Sequence, residues 1–503
     1  RGQAVHASYV DPTAGNDANA VQDASGTDAA TLKTANVNNQ STIAPSSTLT
    51  FGIQQIGSDL DGRRAGARAG ESVSLSEDGK IIAIGSLNDR TIDGARGSVR
   101  VYEQIGNGWQ QLGADINGEA KGDRFGNEVS LSSDGTRLAI GGVRNDAGGS
   151  KADGGHARVY QFDGSNWNQL GSDLDGESAN DRSGAAVQLS GDGSTVVIGA
   201  FRNNNNRGHA KVYRYNEVNK SWQNLGQELN GGQVKEYFGQ AVDISNNGNV
   251  VAVASYGFDP TINGSVKPGR GRVRVYALNG NQWQLRGSSI LGEANNDASG
   301  RAVSLSADGN TVAIGAPGND GVKKKNTGHV RVYSFQNNQW SKVGQDIDGD
   351  RKKDASGHSI SLSSDGTRLA IAAPRYDNGG LNNTGRGNIY ELQGNQWVKL
   401  GSINGETRWD NAGLTEQGGT GISISGDGRR VTLGSRLNDD GGNNAGHARV
   451  YDINNNGPSL TAQTRSIAED ASAGEILNLN DSNTGTDNDP DGDSITYSIT
   501  AGN

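Results

Sequence analysis

The sequence predicts an all-β fold, a seven-bladed β-propeller closed by an N-terminal strand, from three observations. An Asp-Gly pair, once Asn-Gly, returns at Asp78, Asp134, Asp192, Asn247, Asp308, Asp365 and Asp427, at intervals of 55 to 62 residues. A tryptophan follows at Trp109, Trp167, Trp222, Trp283, Trp340 and Trp397, each after the third apolar stretch of its repeat. The 77 glycines and the short Val/Ile/Leu alternations between Asn- and Asp-rich turns match strands joined by tight loops and leave no helical periodicity. A four-stranded unit repeated seven times buries both faces only against its neighbours, and a radial ring does this.

One repeat shows why each element forms. In "NEVSLSSDGTRLAIGG" (127–142), Val129 and Leu131 alternate on one face, Asp134-Gly135 turns the chain, and Leu138 and Ile140 resume the alternation. An Asp-Gly pair tolerates the positive φ angles of a two-residue hairpin, so strands one and two are predicted here. "GHARVYQF" (155–162) supplies strand three and "SNWNQLGSDL" (165–174) strand four, with Trp167 at the wide end of the wedge. The stretch "SLSSDGTRLAI" stands at both 130–140 and 361–371, four repeats apart, and reads as a blade hairpin written twice.

The seventh repeat, after "GHARVYDINNN" (446–456), lacks a fourth strand. "FGIQQIGSDL" (51–60) aligns with "NGWQQLGADI" (107–116), with Ile53 at the tryptophan position, and is predicted to complete the last blade.

Three domains follow: a polar arm over 1–50, the propeller over 51–457 and a tail over 458–503. The arm is rich in Ala, Asn, Thr, Ser and Asp, a composition that buries little apolar surface. It is expected to lie along the propeller or on a neighbouring subunit, for which strand addition is one route.

Hydrophobic residues make up 32% of the chain, and adding glycine brings it to roughly the usual 45–50% of a folded protein. Cysteine and methionine are absent, which excludes disulfides and thiolate metal sites and implies a processed start or a piece of a longer product. No apolar run approaches the roughly 20 residues of a membrane span, so a soluble or surface-exposed location is expected. The net charge of −10 is concentrated in the tail, where eight acids face Arg465 alone; residues 51–457 carry 44 acids and 43 bases. Without a basic excess, nucleic acid is not an expected partner.

The stretches "FGNEVSLSSDGTRLAIGG" (125–142), Phe238-Gly239 and "AIGAPGND" (313–320) resemble the FG-GAP repeats of integrin-α-type propellers, across some 400 residues. The calcium-binding loop of that family sits between strands one and two; here that connection is a tight hairpin, so calcium is not carried over to Asp134. The tail, "PSLTAQTRSIAEDASAGEILNLNDSNTGTDNDPDGDSITYSITAGN", resembles the first half of a cadherin-like domain, a β-sandwich found in large bacterial surface proteins. That resemblance implies calcium ligands at Glu469, Asp487 and Asp489, with Asp491 and Asp493 close by. Clustered carboxylates repel one another without a cation.

Between blades, "GQDIDGD" (344–350) and its relatives carry carboxylates two residues apart. Asp346, Asp348 and Asp350 form the best candidate calcium set, the other reading being a turn whose Asp side chains cap backbone amides.

Four of the six histidines, His156, His209, His329 and His447, fill one slot at the start of strand three, a repetition that points to structure rather than catalysis. No catalytic residues are assigned, and no nucleotide-binding loop is present. Trp409 lies outside the strand-four slot, beside Arg408 and Asp410; it reads as a loop core filler or as a platform for a sugar. The functional expectation is a non-enzymatic extracellular or cell-surface protein, a structural subunit of a fibre, sheath or surface layer that self-associates through the arm and tail. The alternative is an adhesin or glycan- or protein-binding propeller, and a propeller enzyme stands behind both.

Overall fold

The computed structural model describes residues 52–454, apart from 91–93, 148–150, 263, 322–324 and 417–418, together with the backbone of four short strands outside that range. The chain divides into two compact units, residues 53–453 and a second formed by 1–52 with 454–503. In the second, Ala4–Ala7 pairs antiparallel with Ala35–Asn38, and Ser459–Leu460 with Asp487–Asn488. The expected placement of the arm on a surface, and the remainder of the tail, lie outside the described residues.

Residues 53–453 form seven antiparallel blades whose first strands ring a common axis, each against the next and the seventh against the first. Blade two is typical: Phe125–Leu131, Arg137–Gly142, His156–Phe162 and Trp167–Gln169, in chain order from axis to rim. Blade seven takes Ile422–Ile424, Arg430–Ser435 and His447–Asn454 from the end of the propeller and Gly52–Gln55 from its start. The predicted closure by an N-terminal strand is therefore present. Ile56 N–H donates to Val450 O at 2.8 Å, and Leu60 and Asp61 then pair with Ala448 and His447.

The hairpin between strands one and two differs from the predicted two-residue turn. Only Gly135 has a positive φ (70°); Asp134 does not, because the turn spans Ser132 to Gly135 and closes with Gly135 N–H on Ser132 O at 2.9 Å. The Asp134 carboxylate organises it, accepting from Ser132 Oγ at 2.6 Å and Thr136 N at 2.9 Å, while Ser132 Oγ accepts from Arg137 N. Partial burial pushes Asp134 up, but these donors outweigh it and hold the carboxyl below its ordinary range. The same Ser and Asp (or Asn) contact recurs in all seven blades.

Three sets of contacts join blade to blade. At the rim, each indole N–H crosses to a carbonyl of the preceding blade: Trp109 to Ile56, Trp167 to Leu112, Trp222 to Leu170, Trp283 to Leu225, Trp340 to Arg286 and Trp397 to Val343, at 2.7 to 3.1 Å. Each ring lies over a glycine, where a Cβ has no room: one on Gly113 would sit 3.0 Å from Trp167 Cδ1. Ile53 fills the seventh slot, 2.5 Å from a Cβ built on Gly401, with shape but no donor.

Nearer the axis, a first-strand side chain accepts an amide of the next blade. Examples are Leu131 N to Ser74 Oγ at 3.0 Å, Leu189 N to Ser130 Oγ at 2.9 Å and Ile424 N to Ser361 Oγ at 3.1 Å. At one mouth of the axis, backbone bonds run from hairpin to hairpin: Glu77 to Ser133, then Gly191, Asn246, Ala307, Ser364 and Gly426, at 2.8 to 3.0 Å. Asp427 N–H to Glu77 O at 3.2 Å closes the circle.

Trp167→Phe keeps the ring over Gly113 but removes the donor to Leu112. The expected loss is about 0.5–1.5 kcal/mol, measured as a lowered urea midpoint; an unchanged midpoint contradicts the indole tie. Asp134→Ala combined with Gly135→Ala is expected to cost about 1–3 kcal/mol, read in the same titration.

Candidate functional site

In a ring of near-identical repeats, specific chemistry comes from positions that depart from the repeat. Four such places stand out among the described residues.

The first is on the axis. The next-to-last residue of each first strand is Ser74, Ser130, Gln188, Asp243, Ser304, Ser361 or Ser423, and all of these except Ser130 line the axial cavity. Asp243 is the one acid. Its Oδ2 accepts from Leu305 N at 2.6 Å, doing the work serine does at most other junctions, and its Oδ1 accepts from Ile244 N at 2.7 Å. Burial raises its pKa to about 7 despite these bonds.

The second is the mouth opposite the backbone ring. The stretch between Gly413 and Gly421 has no counterpart in the other repeats, and from it Glu416 and Thr420 contact first-strand residues of blades one and two. Glu416 receives Arg124 at 2.6 Å and Arg68 at 3.4 Å, and its N–H donates to buried Glu71, itself held by Arg436 at 2.9 Å. Thr420 Oγ1 donates to Glu128 at 2.7 Å, and burial lifts that carboxyl well above its ordinary range. Arg301 and His358 lie 3.3 Å apart in the same region, where burial and the nearby Arg301, Arg436 and Arg375 depress the histidine.

The third is at the rim of the blades. Each strand-three histidine meets a carboxylate from its own blade and one from the linker before it: Glu119, His156 and Asp173; Glu177, His209 and Glu228; Glu293, His329 and Asp346; and Asp59, Glu406, Asp440 and His447. The first three sets are crossed by a cation two residues after the histidine. Arg158 grips both oxygens of Asp173 at 2.9 and 2.7 Å and also reaches Glu119; Lys211 meets Glu177; Arg331 grips Asp346 at 3.0 and 2.8 Å and reaches Glu293. In the fourth, Arg449 engages Glu406 at 2.7 Å. Burial pushes Asp61 and Glu406 up, with the neighbouring Asp59 and Asp440 adding to the effect, and burial holds His447 down at about 4.

The fourth is Trp409. It is 52% exposed and holds φ at 72°, at the position where the other repeats place Gly66, Gly122, Asn180, Lys235, Asn296 and Lys353, all at positive φ. The core-filler expectation for this side chain is thus corrected: its backbone is fixed by Trp409 N–H on Asn382 O at 3.0 Å, and its ring faces solvent. A bulky residue in the left-handed region is a genuine conformational outlier.

The sequence-predicted calcium set is placed as follows. Both oxygens of Asp346 are taken by Arg331, with Lys342 at 2.8 Å. Asp350 lies toward the next blade, 3.1 Å from Lys399 and 3.3 Å from Arg386. Asp348 pairs in register with His329 on the strand between them. The structure therefore gives Asp346 and Asp350 separate cationic partners rather than one shared cage. Asp487 belongs to the two-residue strand paired with Leu460, while Glu469, Asp489, Asp491 and Asp493 lie outside the described residues.

A row of buried acids was not singled out from sequence: Asp123, Asp181, Glu236, Asp297, Asp354 and Asp410. Each caps its own loop, as Asp123 does by accepting from Ala120 N at 2.7 Å and Asp410 from Thr407 N at 2.7 Å. Their fixed offset before strand one was the signal available.

No family model and no curated protein matches the sequence. Among solved structures, a putative 6-phosphogluconolactonase from Bacteroides uniformis is similar at 12% identity and a TM-score of 0.48, over 71% of this chain and 88% of its own. Kuenenia stuttgartiensis hydrazine synthase is similar at 13% identity and a TM-score of 0.44, over 75% and 94%. Likeness at this level assigns no activity.

The raised pKa of Asp243 fixes a sign. The folded chain holds this proton above the ~3.9 of an unfolded Asp, so the associated stability is full below that pH and is lost as pH rises through about 7. Asp243→Ser, which restores the ring's usual residue, is expected to gain on the native chain by on the order of 2 kcal/mol between pH 5 and pH 8. Urea midpoints at the two pH values check it; a difference independent of pH contradicts it.

Proposed function

We propose that the chain is a non-enzymatic extracellular surface protein whose propeller is a rigid structural block of a fibre, sheath or surface layer, assembled through the segments that flank it. The observation that carries this reading is the closure. The chain enters the propeller on the outer strand of blade seven and leaves on the strand beside it, so both flanking segments emerge from one blade of a ring locked elsewhere. Blade-to-blade ties built from repeated Ser and Trp, and hairpins held by repeated Asp, also fit a scaffold, since they use the polar residues for holding shape. Calcium at the C-terminal module, on Glu469, Asp487, Asp489, Asp491 and Asp493, belongs to this proposal as the order-inducing ion of the assembly.

The full chain in calcium is expected to form regular polymers by electron microscopy and to disperse on chelation. A monodisperse monomer in calcium at high concentration contradicts the structural reading.

A second reading, an adhesive propeller, is favoured by Trp409. An exposed aromatic, at a slot that the other repeats fill with glycine, asparagine or lysine, offers the flat apolar face on which a sugar stacks. On a glycan array, Trp409→Ala is expected to lose at least about tenfold in binding at an unchanged melting temperature. Equal glycan binding by the two proteins, or none by either, contradicts the adhesive reading.

A further inference from the structure

We propose that the Asp59, Glu406, Asp440 and His447 cluster is a divalent transition-metal site, of the kind that takes zinc or manganese, and that the ion pins the closing strand to blade seven.

Four carboxylates surround one imidazole nitrogen. His447 Nδ1 lies 3.2 Å from Asp59 Oδ2, 3.9 Å from Asp61 Oδ1 and 4.0 Å from both Glu406 Oε2 and Asp440 Oδ2. His447 is completely buried, and neither of its ring nitrogens has a partner in hydrogen-bonding geometry, so a donor atom is aimed into the cluster without use. One atom each from Asp59, Glu406, Asp440 and His447 falls within 4.8 Å of all the others, a spread that a single ion with bonds of about 2.0–2.2 Å can span after small side-chain rotations.

The sibling clusters show why this one differs. In blades two, three and five the strand-three cation lies across the carboxylates, and Arg158 and Arg331 each grip one of them with both oxygens bound. Arg449 is turned onto Glu406 and Asn404, which leaves Asp59 and Asp440 facing the imidazole. Asp440 itself is an addition: the equivalent loop position is Ala147 in blade two and Gly321 in blade five. Blade seven thus gains a carboxylate where those relatives have none, and four acids stand against Arg449 within the cluster and Arg100 beside Asp61. Repulsion of this size is relieved by a doubly charged ion.

The donor set selects the ion class. Calcium and magnesium favour oxygen alone, whereas an imidazole nitrogen with carboxylates suits zinc, manganese and their neighbours. The three chain segments that supply the donors are the closing strand (Asp59), the linker from blade six (Glu406), and blade seven itself (Asp440 and His447). A bound ion therefore ties the N-terminal strand to the rest of blade seven and to the linker from blade six, the blade whose rim contact with blade seven lacks an indole donor.

The test uses the full chain, stripped with chelator, dialysed and titrated with zinc chloride alone at neutral pH by calorimetry. One ion per chain is expected to bind, with a rise in melting temperature and slowed amide exchange at Leu60 and Asp61. Asp440→Ala, which restores the repeat's usual side chain at a half-exposed position, is expected to weaken binding by more than about tenfold and abolish the thermal shift. His156→Gln, in the sibling cluster of blade two, is expected to leave the binding unchanged. Absence of stoichiometric binding, binding that Asp440→Ala leaves intact, or binding lost in His156→Gln would each overturn the proposal, as would calcium binding here in preference to zinc.

Discussion

Everything in this molecule depends on a ring whose two chain ends meet, without a covalent bond, inside one of its seven blades. Blades one to six are each continuous from axis to rim, and the seventh is assembled from the two ends of the propeller. Until Gly52–Gln55 lies beside His447–Asn454, the hairpin circle is a line with two open ends, and the first strands of blades one and seven have no partner. Closure converts six sequential contacts into a cycle, so no terminal blade remains to fray. Repeat proteins without closure gain stability only from neighbour to neighbour along an open line.

The cycle is held at three radii by different chemistry. Backbone amides at the hairpins, serine hydroxyls on the first strands and indoles at the rim each cross every joint or nearly every joint. None of these bonds is large alone, since a net hydrogen bond contributes about 0.5–1.5 kcal/mol. Their placement matters more than their sum, because contacts at three radii resist hinging as well as separation. Where blade seven meets blade six the rim contact is weakened: Ile53 gives packing against Gly401 but no indole N–H, whereas Trp109 donates to Ile56 O where blade seven meets blade one. The cluster around His447 draws Glu406 from the linker out of blade six, so a concentration of negative charge lies beside the joint that lacks an indole tie.

Much of the fold was legible in the sequence because repetition is a global signal. Six Asp-Gly pairs and one Asn-Gly counted the blades, and the alignment of Ile53 with the tryptophans located the closing strand. The turn was misread in detail because a two-residue pattern looks the same whether Asp adopts a positive φ or, as here, caps a longer turn begun by Ser132. The candidate sites were less legible for a topological reason. His447, Glu406, Asp440 and Asp59 come from three segments that meet only when the ring closes, and no spacing along the chain marks that meeting. Reading carboxylates two apart in one loop pointed instead to Asp346, Asp348 and Asp350, where Arg331, Arg386 and Lys399 supply the counter-charges. The departures from the repeat were the better guide: Asp243 in a ring otherwise of serines and one glutamine, Asp440 in place of alanine or glycine, Trp409 in place of glycine, asparagine or lysine, and the stretch after Gly413.

The claim that most needs testing is that closure makes the seven blades one cooperative unit. Native-state hydrogen exchange at the hairpin amides of Ser133, Asn246 and Ser364, in blades two, four and six, measures it directly. A closed cycle predicts one common opening free energy at all three, equal to that of global unfolding. Blades that exchange at separate and lower free energies, graded from one end of the ring to the other, would contradict it.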